Sequence, residues 1–173
     1  MNSRMAVIAG IAALAASPAL GQAAKNADAL DAHFASLSTS AERVCTNFDG
    51  ATLQDRMDAC QLALSQLAAA RDAARGLSPG QTSNYDYKRV VLQTGLAATY
   101  AQTDKGLSAR TCALIESNWA IREQLRQIPQ GALSASAYDT YQNAPEQLPK
   151  LVAYCRDDFP APAGAPPLPA AAQ

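Results

Sequence analysis

A chain of 173 residues is about one domain's worth of polypeptide. It is 49% hydrophobic, 6% aromatic and 17% charged, with a formal net charge of −1. Nothing in that balance could neutralise a run of phosphates, which excludes a basic nucleic-acid binder. The apolar fraction excludes wholesale disorder, although much of it is alanine, which buries little area per residue.

Residues 1–23 read as a secretory signal peptide. Arg4 precedes a short apolar run, Met5 to Ala16, then Pro18 and a small-residue exit that allows cleavage after Gly21 or Ala23. The run is shorter than the roughly 20 residues a membrane-spanning helix needs. The expected destination is a bacterial periplasm or the medium, with no membrane span after cleavage. All four cysteines, Cys45, Cys60, Cys112 and Cys155, lie beyond this leader. An even count in an oxidising compartment reads as two disulfides. No C-x-x-C spacing is present and the single histidine, His33, is far from every cysteine, so neither metal nor cofactor is expected.

The mature chain reads as helical nearly throughout. Leu30, Phe34, Leu37 and Val44 recur at helical spacing between Asn26 and Phe48, and Asp49-Gly50 makes a turn. Thr52 followed by Asp55 resembles a helix cap. Behind it, Leu53, Met57, Cys60, Leu64 and Leu67 form an amphipathic stripe that runs up to the breaker Gly76 and Ser78-Pro79-Gly80. Ser83 with Asp86 is the expected start of the next helix. That helix is apolar over a wide arc (Tyr87, Val90, Val91, Leu92, Leu96, Tyr100), so it should be central. Asp104-Lys105-Gly106 is a short turn that lays its neighbours antiparallel. A helix from Leu107 to Ile128 carries Cys112, Leu114, Ile115, Trp119, Ile121 and Leu125. Ser136 and Asp139 could cap a short helix with Tyr138 and Tyr141. Pro145 opens a last helix, Glu146 to about Arg156.

The expected fold class is therefore all-α, five or six helices in a hairpin array or small bundle, stapled by two disulfides. The domain layout is a signal peptide at 1–23, one helical domain at 24–159, and a disordered tail at 160–173. Five prolines and six alanines in the 14 residues from Pro160 cannot form a helix or a core of their own. Three cysteine pairings are open. The sequence-local one, Cys45–Cys60 with Cys112–Cys155, is favoured, and Cys60–Cys112 is its competitor.

The stretch from Arg56 to Leu125 resembles tetratricopeptide-type helical repeats. Arg56-Met57-Asp58-Ala59-Cys60 with Ala63-Leu64 looks like the second helix of a unit. Leu96-Ala97, Tyr100, Ala109 and Ala113 look like the packing positions of the next. Ala59 and Ala109 stand 50 apart rather than the family's 34, which needs an insertion near 76–83. The resemblance implies a concave surface that binds a protein or peptide segment.

Chemistry-bearing motifs are sparse. His33 has no serine or cysteine partner by motif, and no G-x-S-x-G, glycine-rich phosphate loop or calcium loop is present. Leu114-Ile115-Glu116-Ser117-Asn118-Trp119 is similar to the glutamate-serine segment of lytic transglycosylases, which would make Glu116 an acid catalyst. The glycine-rich segment that follows in those enzymes is missing. The expected function is thus non-catalytic: an exported envelope protein that binds another envelope or secreted protein or peptide, with Tyr85, Tyr87, Tyr100 and Trp119 as candidate contacts. The alternatives are a peptidoglycan-cleaving enzyme using Glu116, and a secreted inhibitor- or effector-type protein presenting loop 76–84.

Overall fold

The computed structural model describes residues 40–47, 50–73, 76–133, 135, 137–138 and 147–169. The signal-peptide reading, the first part of the first helix with His33, and Asp139 and Tyr141 lie outside them. Among the described residues the chain is helical and has no strand. We label the helices α1 (40–46), α2 (Leu53–Ala73), α3 (Pro79–Asp104), α4 (Ala109–Arg126) and α5 (Gln147–Asp158), with a single 3-10 turn at Gln130–Ala132. Each of α2 to α5 packs chiefly on its neighbours along the chain, α2 on α3, α3 on α4 and α4 on α5.

Local chemistry sets most of the boundaries. Thr52 caps α2: its hydroxyl accepts from the Asp55 amide at 3.1 Å, and the Asp55 carboxylate accepts from the Thr52 amide at 3.2 Å. This is a reciprocal capping box with aspartate in the glutamate position. The Thr52 hydroxyl, which lies 2.6 Å from the Asp55 carboxylate and can donate to it, and then the Thr52 amide hold that carboxyl below its usual range. The start of α3 departs from expectation, because the helix begins at Pro79 and not near Ser83. A proline in the first turn gives up no helical hydrogen bond, since its missing N–H would have had no partner there. Ser83 sits inside the helix, fully buried, and donates its hydroxyl back to the Gly80 carbonyl at 2.6 Å. The segment 76–84 is therefore a three-residue turn plus the start of α3, not a protruding loop.

α3 closes with Lys105 in the left-handed region (φ 57°) and the Gly106 amide donating to the Ala101 carbonyl at 2.9 Å. That six-to-one bond satisfies a carbonyl the helix end would leave open. Asp104 then ties this end to the next beginning: it accepts from the Ser108 hydroxyl at 2.6 Å and from Arg110 at 2.6 and 2.8 Å. Ser108 is the N-cap of α4.

The core is built as three adjoining clusters. Cys45, Cys60, Ala63, Leu67, Ala70, Tyr85, Leu92 and Leu96 join α1, α2 and α3. Ile121, Leu125 and Ala137 close the far end of α4, with Tyr87 and Val90 of α3 against them. Cys112, Ile115, Trp119, Val152 and Cys155 join α4 to α5. The buried stripe of α2 is Arg56, Cys60, Ala63, Leu67 and Ala70, while Leu53 is 37% exposed and Met57 and Leu64 are only partly covered. The inward face is thus rotated from the line of largest side chains. Alanines at the contact let α2 and α3 approach closely, and the bulkier leucines cover the flanks.

Two disulfides join Cys45 to Cys60 and Cys112 to Cys155, with Cα separations of 4.8 and 5.4 Å. This is the sequence-local pairing. The first bridge fixes α1 against α2, and the second fixes α4 against α5.

The C-terminal segment differs from the disordered end expected of its composition. Residues 160–169 follow an extended path, broken by a turn in which the Ala165 amide donates to the Pro162 carbonyl at 3.0 Å. Gly164, at φ 77°, takes the left-handed position that this turn requires. Leu168 packs on the α4–α5 cluster, and Trp119 donates its indole N–H to the Pro166 carbonyl at 3.4 Å. Composition excludes a helix of its own there. It could not show that proline, already restricted in φ, loses little freedom on docking and offers a carbonyl with no internal partner.

Candidate functional site

A depression among the described residues lies where α2, α3 and the end of α4 meet. It encloses about 640 Å³ between Arg71 and Asp72 of α2, Gly76 and Leu77 of the turn, Thr82 and Asp86 of α3, and Gln124, Leu125, Gln127 and Ile128. A second depression of about 370 Å³ runs along α2 and α3 between Leu64, Leu67, Ala68, Tyr85, Arg89 and Gln93. Arg71 and Asp72 line both, so the two adjoin as an interrupted groove. From Thr82 to Gln93 it follows α3 for about 16 Å at the helical rise, the length of roughly five extended residues.

Helical periodicity puts these side chains together. Leu64, Leu67, Ala68 and Arg71 fall at i, i+3, i+4 and i+7 along one flank of α2, and Thr82, Asp86, Arg89 and Gln93 step by three or four along α3. Leucines give the groove an apolar floor and the charged and amide groups form its walls. Arg71 Nη2 lies 3.3 Å from Asp86 Oδ1, at the junction of the two depressions. Burial pushes the Asp86 carboxyl above its usual range, and the guanidinium of Arg71 pulls the other way. At the inner end, Gln93 is 5% exposed and donates from Nε2 to the Ser117 hydroxyl at 3.1 Å, which Arg89 also reaches at 3.3 Å. The Gln93 Oε1 atom is buried with no hydrogen-bond partner in the structure. An acceptor left in that state carries a desolvation cost that a donor from a bound chain would relieve.

The four aromatic residues singled out from sequence do not share a surface. Tyr85 lines the groove but is 3% exposed and belongs to the α2–α3 core, while Trp119, at 1%, is central to the α4–α5 cluster. Tyr87 packs at the far end of α4. Tyr100 lies against the α2–α3 cluster, accepting from Gln61 Nε2 at 3.0 Å with the Arg110 guanidinium 4.1 Å above its ring. The groove's polar members, Arg71, Asp86, Gln93, Gln124 and Gln127, were not among the candidates. Apolar spacing identifies a helix's buried face, whereas these residues lie on the flanks that two helices turn toward each other.

Glu116 is buried in the α4–α5 layer, and both of its oxygens are held by Arg156, at 2.6 Å from Nε and 2.9 Å from Nη2. The bonds to Glu116 tighten the arginine's hold on its own proton. An acid catalyst must direct a carboxyl oxygen at its substrate, and here a guanidinium fork occupies both. No group of three or more histidine, cysteine, aspartate or glutamate residues that could hold a metal ion occurs among the described residues. None of their helices is long and apolar enough to cross a membrane. No family model, curated protein or solved structure matches this chain.

Proposed function

We propose that this is an exported bacterial envelope protein, a non-catalytic helical module that binds an extended peptide or protein segment in the α2–α3–α4 groove. The observation that carries the reading is the groove itself, formed where helices that follow one another in the chain pack side by side. Its apolar floor suits side chains, and Gln93, Gln124 and Gln127 can exchange hydrogen bonds with a peptide backbone. Stacked antiparallel helices are also the geometry that the tetratricopeptide resemblance implies, with Leu64, Arg71 and Gln93 in the role of groove lining. Export is supported by the leader-like residues 1–23 and by two disulfides, which persist in oxidising compartments.

The test places a photo-crosslinking side chain at Ala68 or Gln124 in the groove, and at Asp157 of α5 as a remote control, in the mature chain exposed to envelope extract. A discrete adduct from both groove positions, absent at Asp157, with the Gln124 adduct lost when Ala68→Arg fills the groove, is the expected outcome. Equal labelling from all three positions would contradict it.

A further inference from the structure

The C-terminal segment occupies a seat that the α4–α5 pair holds ready for it. Arg156 cannot turn away, because Nε and Nη2 are both engaged by the buried Glu116. Its Nη2 also donates to the Pro166 carbonyl at 2.9 Å, and Trp119 Nε1 donates to the same oxygen at 3.4 Å. Two donors, one on each helix, thus converge on a single backbone carbonyl. Two residues further on, Leu168 packs against the α4–α5 cluster that holds Trp119 and the Cys112–Cys155 bridge. This is how proline-rich segments are recognised generally: an extended chain on an aromatic surface, an indole N–H on a main-chain carbonyl, and one apolar side chain in an adjoining hollow.

The chain's own tail underfills that seat. Beneath Pro160 and Pro162 lies a depression of about 260 Å³, walled by Ala109, Ala113, Cys112, Cys155, Phe159 and the stem of Glu116. The proline and alanine side chains of the tail leave it open. The side chains of residues 160–169 carry no charge, so lifting them off separates no side-chain ion pair.

We propose that this surface is a binding site for proline-rich segments of an external partner, of the form Pro-Pro-apolar-Pro, and that residues 160–169 cover it in cis as a replaceable strap. The partner's extra bulk at its N-terminal side enters the 260 Å³ hollow. The site is separate from the α2–α3–α4 groove and does not rest on the reading given to that groove.

Trp119 is the only tryptophan in the chain, so its emission reports the seat directly. The experiment uses the full mature chain, wild type and Leu168→Ser, with a synthetic peptide of residues 160–169 as probe. In Leu168→Ser, with far-UV helicity retained, the emission shifts to the red and acrylamide quenches it more strongly. Adding the peptide reverses both changes, and a peptide with serine at the leucine position does not. The wild-type chain needs a peptide concentration about tenfold higher or more, because a tethered segment competes at an effective concentration of order millimolar. If the variant loses helicity, the wild-type chain alone decides, through the Trp119 indole proton resonance during peptide titration. A Trp119 signal that ignores the peptide in both proteins overturns the proposal. So does a concentration-dependent dimer in which the tail of one copy sits on another, which assigns the seat to a second copy of this chain.

Discussion

Asp104 holds its carboxyl down to about 2 through hydrogen bonds from Arg110 and Ser108, against a usual 3.8. A carboxyl lowered in the folded state contributes stability that is full above its unfolded value and lost as pH falls through the folded one. That window runs from about pH 4 to pH 2. Asp104→Asn should flatten the acid-unfolding curve across that interval and leave its shape above pH 5 unchanged, as followed by circular dichroism. Glu116 and Arg156 make the second prediction at this scale. Their side chains are only 6% and 20% exposed, and removing one leaves a buried charge without its partner. Arg156→Ala should cost about 3 kcal/mol in urea unfolding, and Arg156→Ala with Glu116→Gln should recover part of that loss. A cost below that of an ordinary surface truncation would mean the pair is not buried in solution. The pairing spans 40 positions in sequence, from one helix to another. No local pattern reports it, which is why the sequence offered Glu116 only as a candidate acid catalyst.

α3 meets α1 at a close contact. A Cβ added at Gly95 would lie 2.9 Å from the Cys45 carbonyl oxygen and 3.0 Å from its sulfur, so α1 crosses α3 where only a hydrogen fits. Gly95→Ala should destabilise by about 1–3 kcal/mol, measured by thermal or urea unfolding, against a helix-propensity gain of under about 1 kcal/mol. A stabilised variant would place α1 elsewhere. The element scale also shows where sequence reading succeeds. The Thr52–Asp55 cap, the Asp104–Gly106 turn and the central place of α3 rest on neighbouring residues and were legible. The start of α3 was misplaced because Ser78-Pro79-Gly80 reads equally as a breaker or as a first turn. The face of α2 was misjudged because hydrophobic spacing weights large side chains, while the small Ala63 and Ala70 are among the residues buried there. The groove residues stayed hidden for the same reason: their value lies in which two helices flank them, which no single-helix pattern encodes.

At the scale of the molecule, the described residues form three small clusters, two of them holding a covalent bridge, in place of one large core. The bridges close chain segments separated by 15 and 43 residues, worth about 3 and 4 kcal/mol on the chain-entropy model. Stability on that scale makes the account depend on an oxidising compartment, and so on export. The all-α class and the stapling were readable from periodicity and cysteine count. The docked tail was not, because its seat is assembled from Trp119, Val152 and Arg156 on two other helices. The most direct measurement is mass mapping of the non-reduced chain recovered from the envelope fraction of expressing cells. It should yield an N-terminus at residue 22 or 24 and two linked peptide pairs, Cys45 with Cys60 and Cys112 with Cys155. Recovery of the full-length chain from the cytosol, its first 23 residues intact and four thiols open to alkylation, would contradict it.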